Sequence, residues 1–378
     1  MAAKKGKSEQ RIKDWQQRYH QREEYEDQTA PRQRTKHHEV KLPPRELSAG
    51  AEGLDDLPRA EGMVIGQFPG GAIVLVGTDR LLCAIAGTFR PPQGASALAV
   101  GDVVTVAIAR SAQSDGDRQA DKDRADAVIL ARQPRRTVLS RPRPRSRKRN
   151  DPYQTEMFEK VIAANMDVLL IVASTRQPPL RHGLIDRCLI IAERGELAPL
   201  LAVNKVDLGR PSEAVLESFR RLELEIVLCS AVTGEGIDEL RRRLGGRRGV
   251  LAGASGVGKS TLINALVPGA QAATQEVRAK DERGRHTTSS AEVYDLPGGG
   301  MLVDTPGLRE LGIALDAAEL PWFFPEFEQL AGQCRFHNCT HTHEPAYAVI
   351  QAAAEGRILP RRYESYLNIL QTLADRRD

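Results

Sequence analysis

The stretch that most constrains the fold of this chain is GVLAGASGVGKSTLINAL, residues 249–266. It fits the P-loop pattern G-x-x-x-x-G-K-[ST], in which glycines let backbone N–H groups approach phosphate oxygens with no Cβ in the way. The pattern requires a strand before the loop and a helix after it, and apolar residues stand in both places. We therefore predict an α/β domain that binds a phosphate chain. The alternative is a glycine-rich loop without a ligand.

Each part of the P-loop has a predicted role. The Lys259 ammonium is expected to reach the β- and γ-phosphates and to assist catalysis, and the Ser260 hydroxyl is expected to ligate Mg²⁺. The positive end of the following helix favours the same negative charge. The residues predicted to bind nucleotide in this stretch are Gly253, Ala254, Ser255, Gly256, Val257, Gly258, Lys259, Ser260 and Thr261.

Composition limits the class of protein. A length of 378 residues allows two or three domains. The longest purely apolar run, residues 168–173, is too short to cross a bilayer, and the first ten residues lack the apolar core of a signal peptide. Five cysteines are an odd number, which argues against a secreted disulfide framework. We expect a cytoplasmic protein without a membrane segment, and a monomer.

Three segments precede the α/β part. Residues 1–57 are highly charged with few apolar side chains, which predicts a flexible tail. Residues 58–133 hold five short apolar runs between turn residues, which predict a small β barrel like the OB-fold. Residues 134–152 are predicted to form an Arg-rich linker, and nine Lys or Arg and no acid stand between Arg132 and Asn150. We expect the barrel and the linker to contact RNA; a structural spacer and a plain basic linker are the alternatives.

Residues 153–318 have a different pattern, in which buried apolar runs alternate with amphipathic stretches. This pattern predicts a doubly wound parallel sheet with helices on both faces. Ligands of such sheets bind at the carboxyl ends of the strands, and each motif described below falls at such an end. The strand candidates are residues 168–174, 197–208, 225–231, 249–253 and 301–307.

Two short motifs predict the recognition of guanine. The tetrad Asn204-Lys205-Val206-Asp207 ends one strand candidate. The Asp207 carboxylate can accept hydrogen bonds from N1–H and the exocyclic amine of guanine, a pair that adenine does not offer. Ser230 and Ala231 end the next strand candidate, where a backbone N–H is expected to contact the guanine oxygen. Alone, the tetrad also fits an ordinary strand-end loop; together with the P-loop it predicts GTP binding.

A third motif, Asp304-Thr305-Pro306-Gly307, follows the last strand candidate. The Asp304 carboxylate is expected to hold Mg²⁺ through a water, and the Gly307 N–H is expected to sense the γ-phosphate. The polar stretch RAKDERGRHTTSS before it is typical of a mobile switch loop. Thr287 or Thr288 in that loop is expected to give Mg²⁺ its second hydroxyl, and the spacing does not choose between them.

The catalytic water has no obvious partner in the sequence. Leu308 stands where many small GTPases carry a water-positioning glutamine. A hydrophobic side chain cannot orient water, so His286 in the switch loop is the nearest candidate for this catalytic role. The alternative is that His286 is an exposed loop histidine without a role.

The C-terminal part, residues 319–378, predicts a helical domain with a metal site. Cys334, Cys339 and His341 lie within eight residues, and His343 follows closely. Two thiolates and an imidazole at this spacing suit Zn²⁺.

Two helices are predicted after these ligands, over residues 346–355 and 360–375. Their arginines are expected to lie on a solvated face, with RNA contact as the alternative. The arginines concerned are Arg357, Arg361 and Arg362.

The order of the motifs along the chain is unusual, because the guanine-reading motifs precede the phosphate motifs. This order predicts a circularly permuted GTPase domain. The series N-K-V-D, S-A, GASGVGKS, RHTT and DTPG resembles the bacterial ribosome small subunit-dependent GTPase A family. The barrel before it and the C-x4-C-x-H segment followed by E-P after it strengthen the resemblance, which covers about residues 60–375.

The resemblance implies an OB-fold, a circularly permuted GTPase domain and a zinc-binding helical domain that together dock on the 30S subunit late in its maturation. It implies weak intrinsic GTP hydrolysis that the subunit stimulates, a catalytic role for His286, and contacts to rRNA through the barrel, the linker and the C-terminal domain. The expected ligands are GTP or GDP with Mg²⁺, and one Zn²⁺ per chain.

The resemblance is incomplete at the zinc site, because the last cysteine of the family pattern is Tyr347 here. The site is then expected to recruit His343, to bind metal weakly, or to have been replaced by packing.

Two alternative functions also remain. One is a permuted GTPase of large-subunit assembly, against which the barrel and the Cys/His segment argue. The other is a GTP-dependent RNA-binding switch with little hydrolysis, which Leu308 keeps open.

Overall fold

The computed structural model describes most of the chain between Leu54 and Asp375, and these residues belong to one compact unit, Glu46–Asp378. The described positions are 54, 56–68, 70–90, 97–109, 125–142, 159–270, 272, 291–305, 312–313, 315–331, 341–342 and 348–375. The predicted tail and most of the basic run after Pro142 lie outside them.

The first part of the described chain is a closed five-stranded barrel with strand order β1-β2-β3-β5-β4. The prediction of a small barrel is therefore confirmed. Its interior is filled by alternate apolar side chains, among which Val64, Val74 and Val104 are fully buried. The strands are β1 (Arg59–Phe68), β2 (Gly71–Val76), β3 (Asp79–Ile85), β4 (Val103–Ile108) and β5 (Ala127–Arg132).

A six-stranded sheet follows, with strand order β10-β9-β8-β11-β13-β12. All its pairs are parallel except that of β12 with β13, so the predicted parallel sheet gains one antiparallel edge strand. A separate ribbon pairs β6 with β7, and β6 lies in the segment that the sequence predicts as a linker. These strands are β6 (Val138–Pro142), β7 (Glu159–Ala164), β8 (Val168–Ser174), β9 (Ala198–Asn204), β10 (Glu225–Leu228), β11 (Arg248–Ala252), β12 (Glu292–Asp295) and β13 (Met301–Asp304).

Helices cover both faces of this sheet, and the side chains of β8 alternate between the two resulting cores. Leu169 and Ile171 pack with α1, α2 and the C-terminal helices, whereas Leu170 and Val172 pack with α3 and α4. A strand buried on both faces needs apolar side chains along most of its length, and six of the seven residues of the run VLLIVAS are apolar. The helices are α1 (His182–Arg194), α2 (Glu213–Arg220), α3 (Ile237–Leu244), α4 (Lys259–Leu266), α5 (Pro325–Ala331), α6 (Ala348–Ala354) and α7 (Pro360–Ala374).

Buried polar contacts join the barrel to the segments that follow it. The carboxylate of Asp102, which is fully buried, accepts two hydrogen bonds from the Arg135 guanidinium, at 2.7 and 2.8 Å. The side-chain amide of Asn165 donates to the main-chain oxygen of Gly101 at 2.9 Å. Gly101 has a φ of +88°, and a Cβ there would lie 2.0 Å from the Ala164 oxygen, so the close approach requires glycine.

The C-terminal helices pack on the face of the sheet that carries α1 and α2. The guanidinium of Arg362 is only 3% exposed and donates to Asp186 on α1 at 2.6 Å and to Glu326 on α5 at 2.6 and 3.1 Å. Arg361 donates to the Ser218 hydroxyl at 2.6 Å and covers the Phe219 ring. The prediction of a solvated arginine face is therefore wrong for Arg362, because an ion pair with a buried carboxylate draws it inward.

Within the described residues, no helix is both long enough and apolar enough to cross a membrane.

Candidate nucleotide-binding site

The P-loop connects β11 to α4, as the sequence predicts. β11 ends at Ala252 and α4 begins at Lys259. The Lys259 ammonium donates to the main-chain oxygens of Gly253 and Ala254, each at 2.7 Å. The positive charge of Lys259 therefore lies within the loop that the motif predicts to bind phosphate. Ser260 and Thr261 occupy the first turn of α4.

Gly258 allows this loop to pack against the guanine tetrad. Its φ is +91°, and a Cβ at this position would lie 2.5 Å from Nδ2 of Asn204. An L-residue here would meet both backbone strain and a steric conflict. The two motifs therefore share one packed surface although the sequence separates them widely.

Asn204 ends β9 and joins three of the predicted motifs. Its Nδ2 donates to the Val257 oxygen of the P-loop at 3.0 Å, and its Oδ1 accepts from the Ala231 N–H at 3.1 Å. The side chain is buried, so these hydrogen bonds are shielded from water. Asn204 therefore fixes the positions of the P-loop and the Ser230-Ala231 loop relative to its own tetrad.

Lys205 bridges the P-loop and the loop that follows β8. Its backbone is left-handed, with a φ of 63°, and its amino group donates to the oxygens of Gly256, at 2.6 Å, and Gln177. The Thr175 hydroxyl donates to the Lys205 oxygen at 2.9 Å. Sequence reasoning missed Gln177 and Thr175, although their place at the carboxyl end of a parallel strand is a signal for ligand proximity.

The carboxylate of Asp207 is held by the second guanine motif. The Ser230 hydroxyl donates to Oδ1 of Asp207 at 2.5 Å and accepts from the Thr233 N–H at 3.2 Å. Asp207 is exposed, whereas Ser230 is fully buried. The arrangement fixes one oxygen of an exposed carboxylate, which orients the group for a bidentate partner.

The backbone N–H groups of the second motif have protein acceptors. The Ser230 N–H donates to the Glu235 oxygen at 2.9 Å, and the Ala231 N–H donates to Asn204. A contact from Ala231 to the guanine oxygen therefore requires that its N–H be shared between two acceptors, a common arrangement in proteins.

Oxygen donors suited to Mg²⁺ lie at the end of β13. Asp304 is the last residue of β13, which pairs with the P-loop strand β11 through Val250 and Val303. The hydroxyl of the adjacent Thr305 is buried and has no hydrogen-bond partner among the described residues. A carboxylate, the Ser260 hydroxyl and a buried unsatisfied hydroxyl are hard oxygen donors, the type that Mg²⁺ prefers. The donor set therefore fits Mg²⁺ bound with a nucleotide.

Comparison with known proteins agrees with this geometry. The RsgA GTPase family model matches residues 132–314. A Chlorobaculum tepidum protein named small ribosomal subunit biogenesis GTPase RsgA is 40% identical over 294 residues, which are 77% of this chain and 90% of the relative. The chain belongs to the RsgA GTPase family. A relative of the same name from Chlorobaculum parvum is 40% identical over 310 residues, 80% of this chain and 95% of the relative.

Two solved structures share the fold of this RsgA family member. The crystal structure of YjeQ from Thermotoga maritima is 31% identical, with a TM-score of 0.60 over 84% of this chain and 99% of that chain. The structure of YloQ, described as a circularly permuted GTPase, is 23% identical, with a TM-score of 0.59 over 84% of this chain and 96% of that chain. The predicted permuted GTPase fold is confirmed, and the protein is a GTPase, whose family uses Mg²⁺ with GTP.

Several predicted residues of the RsgA site lie outside the described part of the chain. On the nucleotide side these are His286, Thr287, Thr288, Gly307 and Leu308. On the side of the predicted zinc site they are Cys334, Cys339, His343 and Tyr347.

His341 is the one predicted zinc ligand that the structure describes. Its side chain is buried, with its ring 5.5 Å from that of Phe327 in an edge-on contact. Its main-chain oxygen accepts from the Tyr363 hydroxyl at 2.7 Å. Within the described residues, no group of three metal-ligating side chains occurs.

Cys229 lies behind Asn204, on the predicted guanine side of the site. Its sulfur is 4.0 Å from Oδ1 of Asn204. Burial raises the pKa of the Cys229 thiol to about 12, and the Glu235 carboxylate adds to the increase. The thiol is therefore neutral and serves as packing beneath Asn204.

Proposed function

We propose that this GTPase acts in the late maturation of the small (30S) ribosomal subunit, which stimulates its turnover. The observation that carries the proposal is the name of its relatives, small ribosomal subunit biogenesis GTPases, which are 40% identical over at least 90% of their length. The protein would work in the cytoplasm, where that subunit is assembled, and we propose that it does so as a monomer.

We propose that the guanine base is read by the Asp207 carboxylate. One oxygen of Asp207 is held by Ser230, so the carboxylate can present a fixed edge to N1–H and the exocyclic amine. Ala231 would share its N–H with the guanine oxygen, and the stem of Lys205 would lie beside the base. These roles give the selectivity for GTP over ATP.

The phosphates would be held by the backbone of the P-loop and by the Lys259 ammonium. In hydrolysis, a water attacks the γ-phosphorus, the bond from the γ-phosphorus to the bridging oxygen breaks, and GDP and phosphate leave. When bound, Mg²⁺ would supply positive charge that offsets the charge of the phosphates. Ser260, Asp304 and Thr287 or Thr288 would hold it, and the Gly307 N–H would contact the γ-phosphate. His286 would orient the attacking water.

We further propose that rRNA is bound by the barrel (58–133), the Arg-rich linker (134–152) and the C-terminal helical domain (319–378), which flank the GTPase domain (153–318). The charge of the run between Arg132 and Asn150 supports the linker contact, because dense basic charge binds phosphate backbones. The tail, residues 1–57, has no assigned role.

A zinc site in the C-terminal domain is part of the proposal. Cys334, Cys339 and His341 would supply three ligands, with His343 as the fourth, because a tyrosine hydroxyl at position 347 would have to lose a proton with a pKa near 10. The burial of His341 suits a structural ligand. We expect about one zinc per chain by elemental analysis, less after His343→Ala and more after Tyr347→Cys. Protein purified without chelator that carries no zinc would exclude the site.

The decisive experiment measures GTP turnover alone, with purified small subunits and with purified large subunits. We expect slow turnover alone, a large increase with small subunits and little change with large subunits. Equal or greater stimulation by large subunits would favour a role in large-subunit assembly. GTP-dependent binding to small subunits without faster turnover would favour an RNA-binding switch.

A second measurement isolates the proposed water-orienting group. His286→Ala should lose the stimulated turnover and nearly keep its GTP affinity, since the side chain contacts water and not the nucleotide. Full stimulated turnover in this variant would assign the role to a group of the ribosomal subunit.

A further inference from the structure

Trp322 is an exposed residue in a short turn that is anchored in the core next to the C-terminal helices. It belongs to a 3₁₀ turn, Leu320–Phe323, and 76% of its surface is accessible. The flanking Leu320 and Phe324 are 0% and 1% exposed, so both ends of the turn are anchored in the core. An indole exposed to this extent contributes little to the stability of the fold, and exposed aromatic rings of this kind mark sites of interaction.

Glu319 directly precedes the turn that carries this indole. The main-chain N–H of Trp322 donates to the main-chain oxygen of Glu319 at 3.1 Å, which is the hydrogen bond between residues three apart in a 3₁₀ turn. In that geometry the side chains of residues three apart project from the same face of the turn. Glu319 is also exposed. The turn therefore presents an aromatic face and a negative charge together.

The surrounding chain is acidic. Between Leu315 and Ala331 the sequence carries four carboxylates and neither lysine nor arginine, in a protein whose net charge is +4. Glu326 is occupied by Arg362, so it contributes little to the surface. The main-chain N–H of Asp316 donates to Oε2 of Glu319 at 3.3 Å, so both acidic residues lie in the same turn region and one oxygen of Glu319 already accepts a bond. The local negative charge repels phosphate backbones and attracts cations, so the proposed rRNA contacts of the C-terminal domain would lie on other parts of it.

We propose that Trp322 and Glu319 form a docking site for an arginine side chain in an extended basic segment of a partner protein. A guanidinium is planar, stacks on an indole face and donates in a fork that matches a carboxylate, so one side chain satisfies both groups. A nucleic-acid base can also stack on indole, but its phosphates would meet the acidic segment.

The probe for this site is a fluorescein-labelled peptide of nine residues that alternates arginine and glycine, with binding to the full chain measured by anisotropy at low salt. We expect saturable binding that Trp322→Ala weakens at least about fivefold, Trp322→Phe about twofold and Glu319→Gln about threefold. The same peptide with citrulline in place of arginine should bind at least about tenfold more weakly, because citrulline keeps the shape and loses the charge. Glu355→Gln, which removes an exposed carboxylate elsewhere on the C-terminal helices, should bind like the unmodified protein.

The variants must keep their fold for this comparison, and an unchanged GTP affinity of Trp322→Ala provides the check, since Trp322 lies outside the nucleotide site. Peptide binding that is equal in Trp322→Ala and the unmodified protein would overturn the proposal. A uridine nonamer whose binding depends on Trp322, when that of the peptide does not, would make the site a nucleic-acid contact instead. Stronger peptide binding after replacement of the five arginines between Arg141 and Arg149 by serine would identify this chain's own basic run as the occupant.

Discussion

The Ser230 hydroxyl donates to Oδ1 of Asp207 at 2.5 Å, which joins two motifs 23 residues apart in the chain. The bond orients an exposed carboxylate before any base arrives, so less ordering is required on binding.

Loss of this hydrogen bond should weaken nucleotide binding without removing it. Ser230→Ala leaves Asp207 able to rotate, and we expect GTP and GDP affinities to fall about tenfold, the loss of one charge-assisted hydrogen bond. Titration with a fluorescent GDP analogue measures this. Ser212→Ala, an exposed serine without a side-chain bond to the helix that follows, is the matched control. An unchanged affinity in Ser230→Ala would show that Asp207 is oriented by the base itself.

The chemistry of the carboxylate itself predicts a change of base preference. Asp207→Asn replaces one acceptor by a donor, which matches the oxygen that xanthine carries in place of the guanine amine. We expect weaker GTP binding and a shift toward xanthosine triphosphate, measured by competition. If ATP competes as well as GTP in the unmodified protein, Asp207 does not select the base.

The contact between the P-loop and Asn204 predicts a steric effect. In Gly258→Ala the new Cβ would lie 2.5 Å from Nδ2 of Asn204. We expect GTP affinity to fall at least about tenfold as Asn204 leaves Val257 and Ala231. Gly269→Ala is the matched control, since its φ of +83° is similar and nothing lies within 4 Å of its Cβ position. A GTP affinity of Gly258→Ala equal to that of Gly269→Ala would show that the steric conflict with Asn204 does not lower nucleotide binding.

The buried ion pair between α1 and α7 predicts a large loss of stability. Arg362→Met leaves Asp186, which is fully buried, without its partner, and we expect the free energy of unfolding to fall by about 3–5 kcal/mol in denaturant titrations. The double variant Arg362→Met with Asp186→Leu should recover much of the loss, because no buried charge remains. Arg357→Met, which breaks an exposed pair with Glu355, should change stability little. A double variant as unstable as the single one would point to lost packing.

His182 predicts a pH dependence of stability. Burial lowers its pKa from the ordinary value of 6.5, Arg361 lowers it further, and Asp186 acts in the opposite direction. The unfolded chain therefore binds the proton more readily, so the stability is complete above the unfolded value and declines as the pH falls below it. We expect the free energy of unfolding to decrease from about pH 7 to about pH 5, and His182→Gln to show a smaller decrease. Parallel pH profiles for the two proteins would contradict this.

Local sequence patterns predicted much of the fold. They did not predict short strands whose stability depends on pairing with residues elsewhere in the sequence. The apolar run Val168–Ser174 is a buried strand as predicted, because a continuous apolar run of that length fits few other environments. The edge strand β12 and the ribbon strand β6 were not predicted. Each is four or five residues long with mixed polarity, and its pairing partner supplies most of its stability.

The sequence by itself determined which residues are chemically able to bind a guanine nucleotide, and in which order they occur, because a P-loop and an N-K-V-D tetrad are short patterns whose chemistry depends on neighbouring positions. Only the tertiary structure decided how these motifs are held together. Asn204 reaches Val257 across 53 positions, and Arg362 reaches Asp186 across 176. Contacts at such separations follow from strand order and helix packing, and no local pattern of residues encodes them.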